Sequence, residues 1–346
     1  MKTEQDASVS EVNGQAPTSS LPASSARKQA REMSRFIPAE RLAKKQLLHF
    51  VVVTLIPSVL VLVWFATIPS ITVADILLAM GIWTLTGGLG ISLGYHRYFT
   101  HGSFTAHPVL QATMAAAGSM AGQGPVTYWV SIHRCHHQHS DSDGDPHSPV
   151  SALVNPSWYK RWTAFLHGHI GWVVRHDVPS PLRFARDVAR NPIVRFFDRS
   201  YWGWVIAGIA LPGAVSFWSD PTPNGFLRGC VFGGLIRIII GNQIIWAINS
   251  VCHASGSAAF PTQDSSRNNL LLVLPSFGEA WHNNHHAFPW SARFGLRFWQ
   301  IDLGWWALSI LKRIGLAADL KQPCSSQIET SLRRSQQSLD QADFTE

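Results

Sequence analysis

The chain has 346 residues, of which 46% are hydrophobic and only 14% charged, against roughly 25% charged in a typical soluble domain. That balance argues against an ordinary soluble globule, and the 15 tryptophans fit a membrane protein because Trp collects at bilayer interfaces. The net charge of +7 reads as loop charge beside membrane spans rather than as a footprint for nucleic acid. Four scattered cysteines without a C-x-x-C suggest no disulfide framework, zinc ribbon or iron–sulfur module.

In chain order, residues 1–35 are polar and rich in Ser and Ala. They lack the apolar run of a cleavable secretory signal and are expected to be disordered. Four segments then reach the length of about 20 apolar residues that a bilayer crossing needs: roughly 47–69, 73–95, 201–219 and 225–248. They pair as two hairpins. Lys and Arg crowd before the first span, between the second and third, and after the fourth, whereas the links 70–72 and 220–224 carry none. This places both termini and the long central segment in the cytoplasm. Residues 107–131 are long enough for a fifth span. They are read instead as a surface or re-entrant segment, because a crossing there would separate histidine motifs that must meet. Arg237 falls inside the fourth span and should face a partner or cavity. Thr84, Thr86, Gly87 and Gly88 serve either close helix packing or room for a ligand chain. Residues 298–311 suggest an interfacial helix, and 322–346 a second disordered tail. The domain between the tails is 36–321. The expected fold is an all-α integral membrane protein, with four transmembrane helices beneath a helical cap that holds metal.

The chemistry lies in three histidine boxes: His96-Arg97-Tyr98-Phe99-Thr100-His101, His133-Arg134-Cys135-His136-His137 and His282-Asn283-Asn284-His285-His286. Imidazole suits iron, zinc, copper and nickel, and eight such side chains exceed what one four-coordinate ion needs, so two metal ions are expected. On a helix, His133, His136 and His137 share a face, as do His282, His285 and His286; His96 and His101, five apart, need not. Asn249 and His253, four apart at the end of the fourth span, add an amide and an imidazole at the same membrane level. His49, His107, His139, His147, His167, His169 and His176 are read as non-ligands. Asp141, Asp145 and Glu279 could orient metal-bound imidazoles or cap loops. Two irons at a bilayer surface suggest oxygen activation on a lipid chain, and spacing leaves desaturation and hydroxylation both open.

These motifs resemble the membrane-bound fatty acyl desaturases with three histidine boxes, of the type acting at the ninth carbon on acyl-CoA or acyl-lipid. The likeness covers about residues 45–315 and includes Asp145-Pro146-His147 after the second box and Phe277-Gly278-Glu279-Ala280-Trp281 leading into the third. It implies two irons held by His96, His101, His133, His136, His137, His253, His282, His285 and His286, with Asn249 acting through water. It implies O2 as co-substrate and a cis double bond, Δ9, in a saturated chain carried on lipid or CoA; a membrane alkane or lipid hydroxylase is the alternative. Gln123, Trp129 and Trp246 match positions along the acyl tunnel, the tryptophans being otherwise interfacial anchors. Where acyl-CoA enzymes hold the CoA head group with a polar and charged pair, Ser131 and Ile132 stand here. With no His-Pro-Gly-Gly haem signature or cysteine cluster, electrons are expected from a separate ferredoxin, or from a b-type cytochrome with its reductase. A bacterial plasma membrane is the expected location.

Overall fold

The computed structural model describes residues 36–67, 70–149, 157–174 and 176–343; the N-terminal tail expected at 1–35 lies outside them. Among the described residues four helices are long and apolar enough to cross a membrane. In chain order the principal helices are α1 (Arg41–Thr67), α2 (Val73–Thr100), α3 (Pro108–Met120), α4 (Val126–His139), α5 (Trp158–Leu166), α6 (Pro192–Arg199), α7 (Tyr201–Ser219), α8 (Pro223–Ala254), α9 (His282–Ala287), α10 (Leu303–Arg313) and α11 (Ser325–Asp343). Two two-residue antiparallel pairings, Phe36–Ile37 with Val178–Pro179 and Thr105–Ala106 with Ala317–Ala318, are the described strands.

The spans α1, α2, α7 and α8 fall where the apolar runs place them, but α2 and α8 continue well past those runs. Backbone hydrogen bonding does not stop where hydrophobicity does, and the extensions carry His96, Asn249 and His253 beyond the lipid-facing segments. From Thr84 onward α2 widens to π-helical turns, which occur in proteins mostly at functional sites. The amide of His101 donates to the His96 carbonyl at 3.2 Å. His96 and His101, which an α-helix would point apart, therefore meet edge to face with ring centroids 4.9 Å apart.

Residues 107–131 do not cross. They form α3, a turn, and the start of α4, with Gly122 and Gly124 at φ 78° and 96° in the turn. This conformation is open to glycine without steric cost. α3 lies so close on α2 that a Cβ at Gly90 would sit 2.3 Å from the Gly118 nitrogen. Arg237 is buried and donates to three carbonyls, Gly233 (3.1 Å), Met120 (2.8 Å) and Gly208 (2.7 Å). It thus joins α8 to α7 and to the last turn of α3, where unpaired carbonyls and the negative end of the helix dipole suit a cation. Gly87 and Gly241 receive the Trp83 indole and Gly88 the Phe277 ring, so the small residues of α2 serve packing.

α10 starts at Asp302, whose carboxylate accepts from the Trp305 amide at 2.9 Å. It leaves Trp306 and Ile310 exposed, in keeping with the interfacial helix expected there. The segment expected to be a disordered tail at 322–346 contains α11. After Pro323 no Gly or Pro interrupts it, and its start is closed by the Cys324 amide donating to Gln327 Oε1 at 2.9 Å.

Arg97, on the extension of α2, is fully buried. Its guanidinium donates to Asp302 Oδ1 (2.9 Å), the Ala292 carbonyl (2.8 Å) and Glu279 Oε1 (3.4 Å), and lies 4.0 Å over the Phe294 ring. Removing one partner of a buried ion network strands the others without solvent. Arg97→Ala should therefore cost about 3–5 kcal/mol, read as loss of the monodisperse peak in detergent size exclusion and a lowered thermal midpoint.

Candidate metal centre

α2, α4, α8 and α9 bring nine imidazoles into two adjoining groups. In the first, His96, His101, His133, His137 and His285 present nitrogens all within 4.8 Å of one another; in the second, His136, His253, His282 and His286 do the same. Each H-x-x-H-H box is divided. His133 and His137, one helical turn apart, enter the first group and His136 the second, while His285 enters the first and His282 and His286 the second. All three elements of the sequence reading therefore meet, and His253 joins them.

Within the groups nitrogens face nitrogens: His96 Nε2 and His285 Nε2 at 3.0 Å, His133 Nε2 and His137 Nε2 at 3.0 Å, His253 Nε2 and His282 Nε2 at 2.9 Å. Buried Nε2 atoms of His101, His136 and His286 have no hydrogen-bond partner. Buried polar atoms are rarely left so, and converging unpaired imidazole nitrogens are what a metal ion requires.

The outer nitrogens are held by carboxylates. His96 Nδ1 pairs with Glu279, His136 Nδ1 with Asp145 at 3.0 Å, His253 Nδ1 with Asp141 at 3.0 Å and His286 Nδ1 with Asp264 at 2.6 Å. A carboxylate on Nδ1 keeps the proton there and turns the Nε2 lone pair inward, the arrangement that orients metal-bound histidines. Asp141 and Asp145 fill both roles the sequence left open. Asp145 also accepts from the Asp141 amide (3.0 Å), and Asp141 from the Ser265 amide (2.7 Å). Asp264 was not foreseen. It lies in the irregular loop between His253 and the third box, where no spacing rule links it to His286.

Burial, reinforced by neighbouring imidazoles, pushes His101, His133, His137, His282 and His285 well below the ordinary histidine range and His286 to about 4. These rings are neutral at physiological pH, as metal ligation demands. His136 moves the other way, because attraction from Asp145 outweighs its burial. Burial favours the neutral acid of Glu279, but His96 and Arg97 outweigh it and hold the carboxyl below its usual range.

The non-box residues of the third motif build its frame. Asn283 Oδ1 accepts from the Ala259 and Phe260 amides, both at 2.8 Å, and Asn284 Nδ2 donates to the Phe294 carbonyl at 2.8 Å. Beside the imidazoles is a cavity walled by Ile91, Ile132, Ile245 and Ile248, with Asn249, Gln123 and Trp129 on its lining. Trp129 stacks on His133 with centroids 4.9 Å apart. A second cavity shares Gln123, Tyr128 and Trp172 with the first and includes Trp246, which is buried. Trp246 is therefore not a membrane-surface anchor.

Most histidines read as non-ligands have other partners. His49 bonds Tyr201 at 2.9 Å, His107 accepts from the Val109 amide, His169 bonds Ser250 and Gln243 and His176 bonds Gln46 at 3.0 Å. His147 differs. It is buried on the cavity lining, its ring 4.4 Å from that of His136, with Nδ1 3.8 Å from Asp145.

Residues 66–325 match the fatty acid desaturase family, and the chain belongs to that family: it is a membrane oxidoreductase. Among its relatives, a hex-5-enoyl-[acyl-carrier protein] acetylenase of Moorena producens is 35% identical over 86% of this chain and 93% of its own. An sn-1 stearoyl-lipid 9-desaturase of Anabaena variabilis is 37% identical over 74% and 88%. An icosanoyl-CoA 5-desaturase of Limnanthes douglasii is 38% identical over 70% and 64%.

Two outcomes follow from this geometry. Asp264→Ala should weaken metal retention about 10–100-fold, the range for losing a carboxylate behind a metal-bound histidine, as measured by metal analysis after chelator titration. The depressed histidines bind protons more readily in the unfolded chain, so stability rises with pH. It should be fully present above the unfolded histidine value of about 6.5 and decline as pH falls towards about 4, the value for His286. Thermal midpoints of the metal-free protein in detergent across that window check this.

Proposed function

We propose that this desaturase introduces a cis double bond between the ninth and tenth carbons of a saturated acyl chain carried on a membrane lipid. The observation that carries the reading is the pair of imidazole groups opening onto an apolar-walled cavity, so that a methylene chain and two metal ions can meet away from water. His96, His101, His133, His137 and His285 would hold one iron; His136, His253, His282 and His286 would hold the other, with Asn249 acting through water. Bound there, the irons supply the oxidising power to remove two hydrogens from unactivated methylenes, while O2 takes up two external electrons and four hydrogens in all to leave two waters.

The chain's own residues provide orientation and exclusion. Glu279, Asp145, Asp141 and Asp264 hold the Nδ1 protons and so fix the direction of each lone pair. The isoleucines keep the reacting carbons dry, which strengthens every electrostatic interaction nearby. Gln123, pinned by donating to Asn242 Oδ1 at 2.7 Å, and Trp129, stacked on His133, would seat the carbon pair; Trp246 would line the approach. Such positioning is what a reaction without a nucleophile of its own requires.

Several features favour lipid over CoA as carrier. Ser131 turns its hydroxyl to the Thr127 carbonyl at 2.6 Å and Ile132 is buried, so neither offers a head-group contact, and the Anabaena relative is by name an acyl-lipid enzyme. A second reading, a chain borne on acyl-carrier protein, is favoured by the Moorena relative, which this chain matches over nearly its whole length. Electrons would come from a separate ferredoxin, or from a b-type cytochrome with its reductase. The boxes and termini would face the cytoplasm of a bacterial plasma membrane by the distribution of Lys and Arg.

Expression in a host with a competent donor, followed by gas chromatography and mass spectrometry of each lipid, CoA and carrier-protein pool, tests this. A new Δ9 monounsaturated acid, confined to lipid and abolished by His285→Ala, is expected. A hydroxy acid would move the assignment to the hydroxylase, a triple bond to an acetylenase, and a product on carrier protein to the second reading.

A further inference from the structure

The turn before the third histidine box bears exposed leucines. Leu270, Leu271 and Leu274 are exposed, Leu271 at 88%, whereas Val273 between them is buried in a cluster with Ile248, Cys252, Trp281 and Phe294. The turn is not loose. Asn269 Oδ1 accepts from the Leu271 amide at 3.1 Å, Ser276 Oγ donates to the Leu272 carbonyl at 2.5 Å, and the amides of Val273, Phe277 and Gly278 donate to Leu270, Leu274 and Val273 carbonyls. Pro275 has no amide hydrogen to satisfy, and its carbonyl accepts from the Trp83 indole at 2.9 Å.

Trp83 fixes the depth of this turn. Its indole lies over Gly87 of α2, and the Phe277 ring lies against Gly88. At about 1.5 Å rise per residue, Gly88 is about 22 Å along α2 from Val73, inside a hydrocarbon layer about 30 Å thick that begins there. On the same helix Ile76, Leu77, Met80 and Leu85 face outward and exposed. The leucines thus continue the lipid-facing surface of α2, on a backbone whose polar groups are largely paired within the protein, as immersion in lipid requires.

We propose that Leu270, Leu271 and Leu274 form a re-entrant finger inserted among the acyl chains of the leaflet on the histidine side. The finger runs directly into Glu279 and His282, so the bilayer itself holds the third box at the depth where an acyl chain arrives. Its partner is the hydrocarbon of that leaflet.

The test uses the full chain in nanodiscs of phosphatidylcholine and phosphatidylglycerol, in a Cys230→Ser/Cys324→Ser background that leaves the buried Cys135 and Cys252. Leu271→Cys and, separately, Leu270→Cys are labelled with an environment-sensitive fluorophore, with Gln327→Cys on exposed α11 as the aqueous reference. Size exclusion confirms that each variant is folded. Several-fold stronger quenching by lipids bearing a nitroxide on the acyl chain, and several-fold weaker quenching by iodide than at Gln327→Cys, is expected at both positions. Iodide quenching at the reference level at either position overturns the proposal. The readout involves no turnover, so it stands or falls apart from the reaction assigned above.

Discussion

Glu279 is the carboxylate around which the two halves of the molecule are assembled. It arrives from the loop before the third box and meets three groups of α2 at once: Ser92 at 2.5 Å, His96, and Arg97 at 3.4 Å. A carboxylate this deeply buried is tolerable only when paired and hydrogen-bonded, so the membrane helix and the box-three loop must close on each other for either to be stable. Arg97 carries the same demand onward to Asp302 and the start of α10. One charge network thereby sets the third box against the first and orients His96 within the metal centre.

The site depends equally on helices outrunning their apolar stretches. Extended beyond their apolar stretches, α2 and α8 become posts that carry His96 and His253. The π-helical winding of α2 brings His96 and His101 together. α4 supplies histidines to both groups because three and four residues are each close to one turn, and it is anchored at its first amides by Asp198, which accepts from Val126 at 2.7 Å. Rigid elements with locked second contacts are what hold a catalytic constellation to the tolerance it needs. Here the contacts are four carboxylates behind four imidazoles.

Arg237 shows how a costly group can serve construction rather than chemistry. With three carbonyls from three helices as acceptors and no carboxylate among its hydrogen-bond partners, it holds α3 against the spans at the level of the Gln123 turn. Gln123 of that turn lines both cavities. Packing of Trp83 against Gly87 and Gly241 holds α2 and α8 close together.

The sequence alone determined the four spans, the histidine inventory and its division into boxes, because hydropathy and residue type are local properties that survive any folding. It also marked His253 and three of the four orienting carboxylates, since these lie within or near the motifs. The tertiary structure decided which histidines share a group. It showed that His96 and His101 converge, that Asp264 reaches His286 from an unpatterned loop, and that a tail expected to be disordered contains a helix. Each of these rests on a contact between residues distant in the chain or on a local change of helical winding. Periodicity assumes a uniform helix and cannot register either, because the energy that selects them comes from groups buried against one another only after the chain has folded.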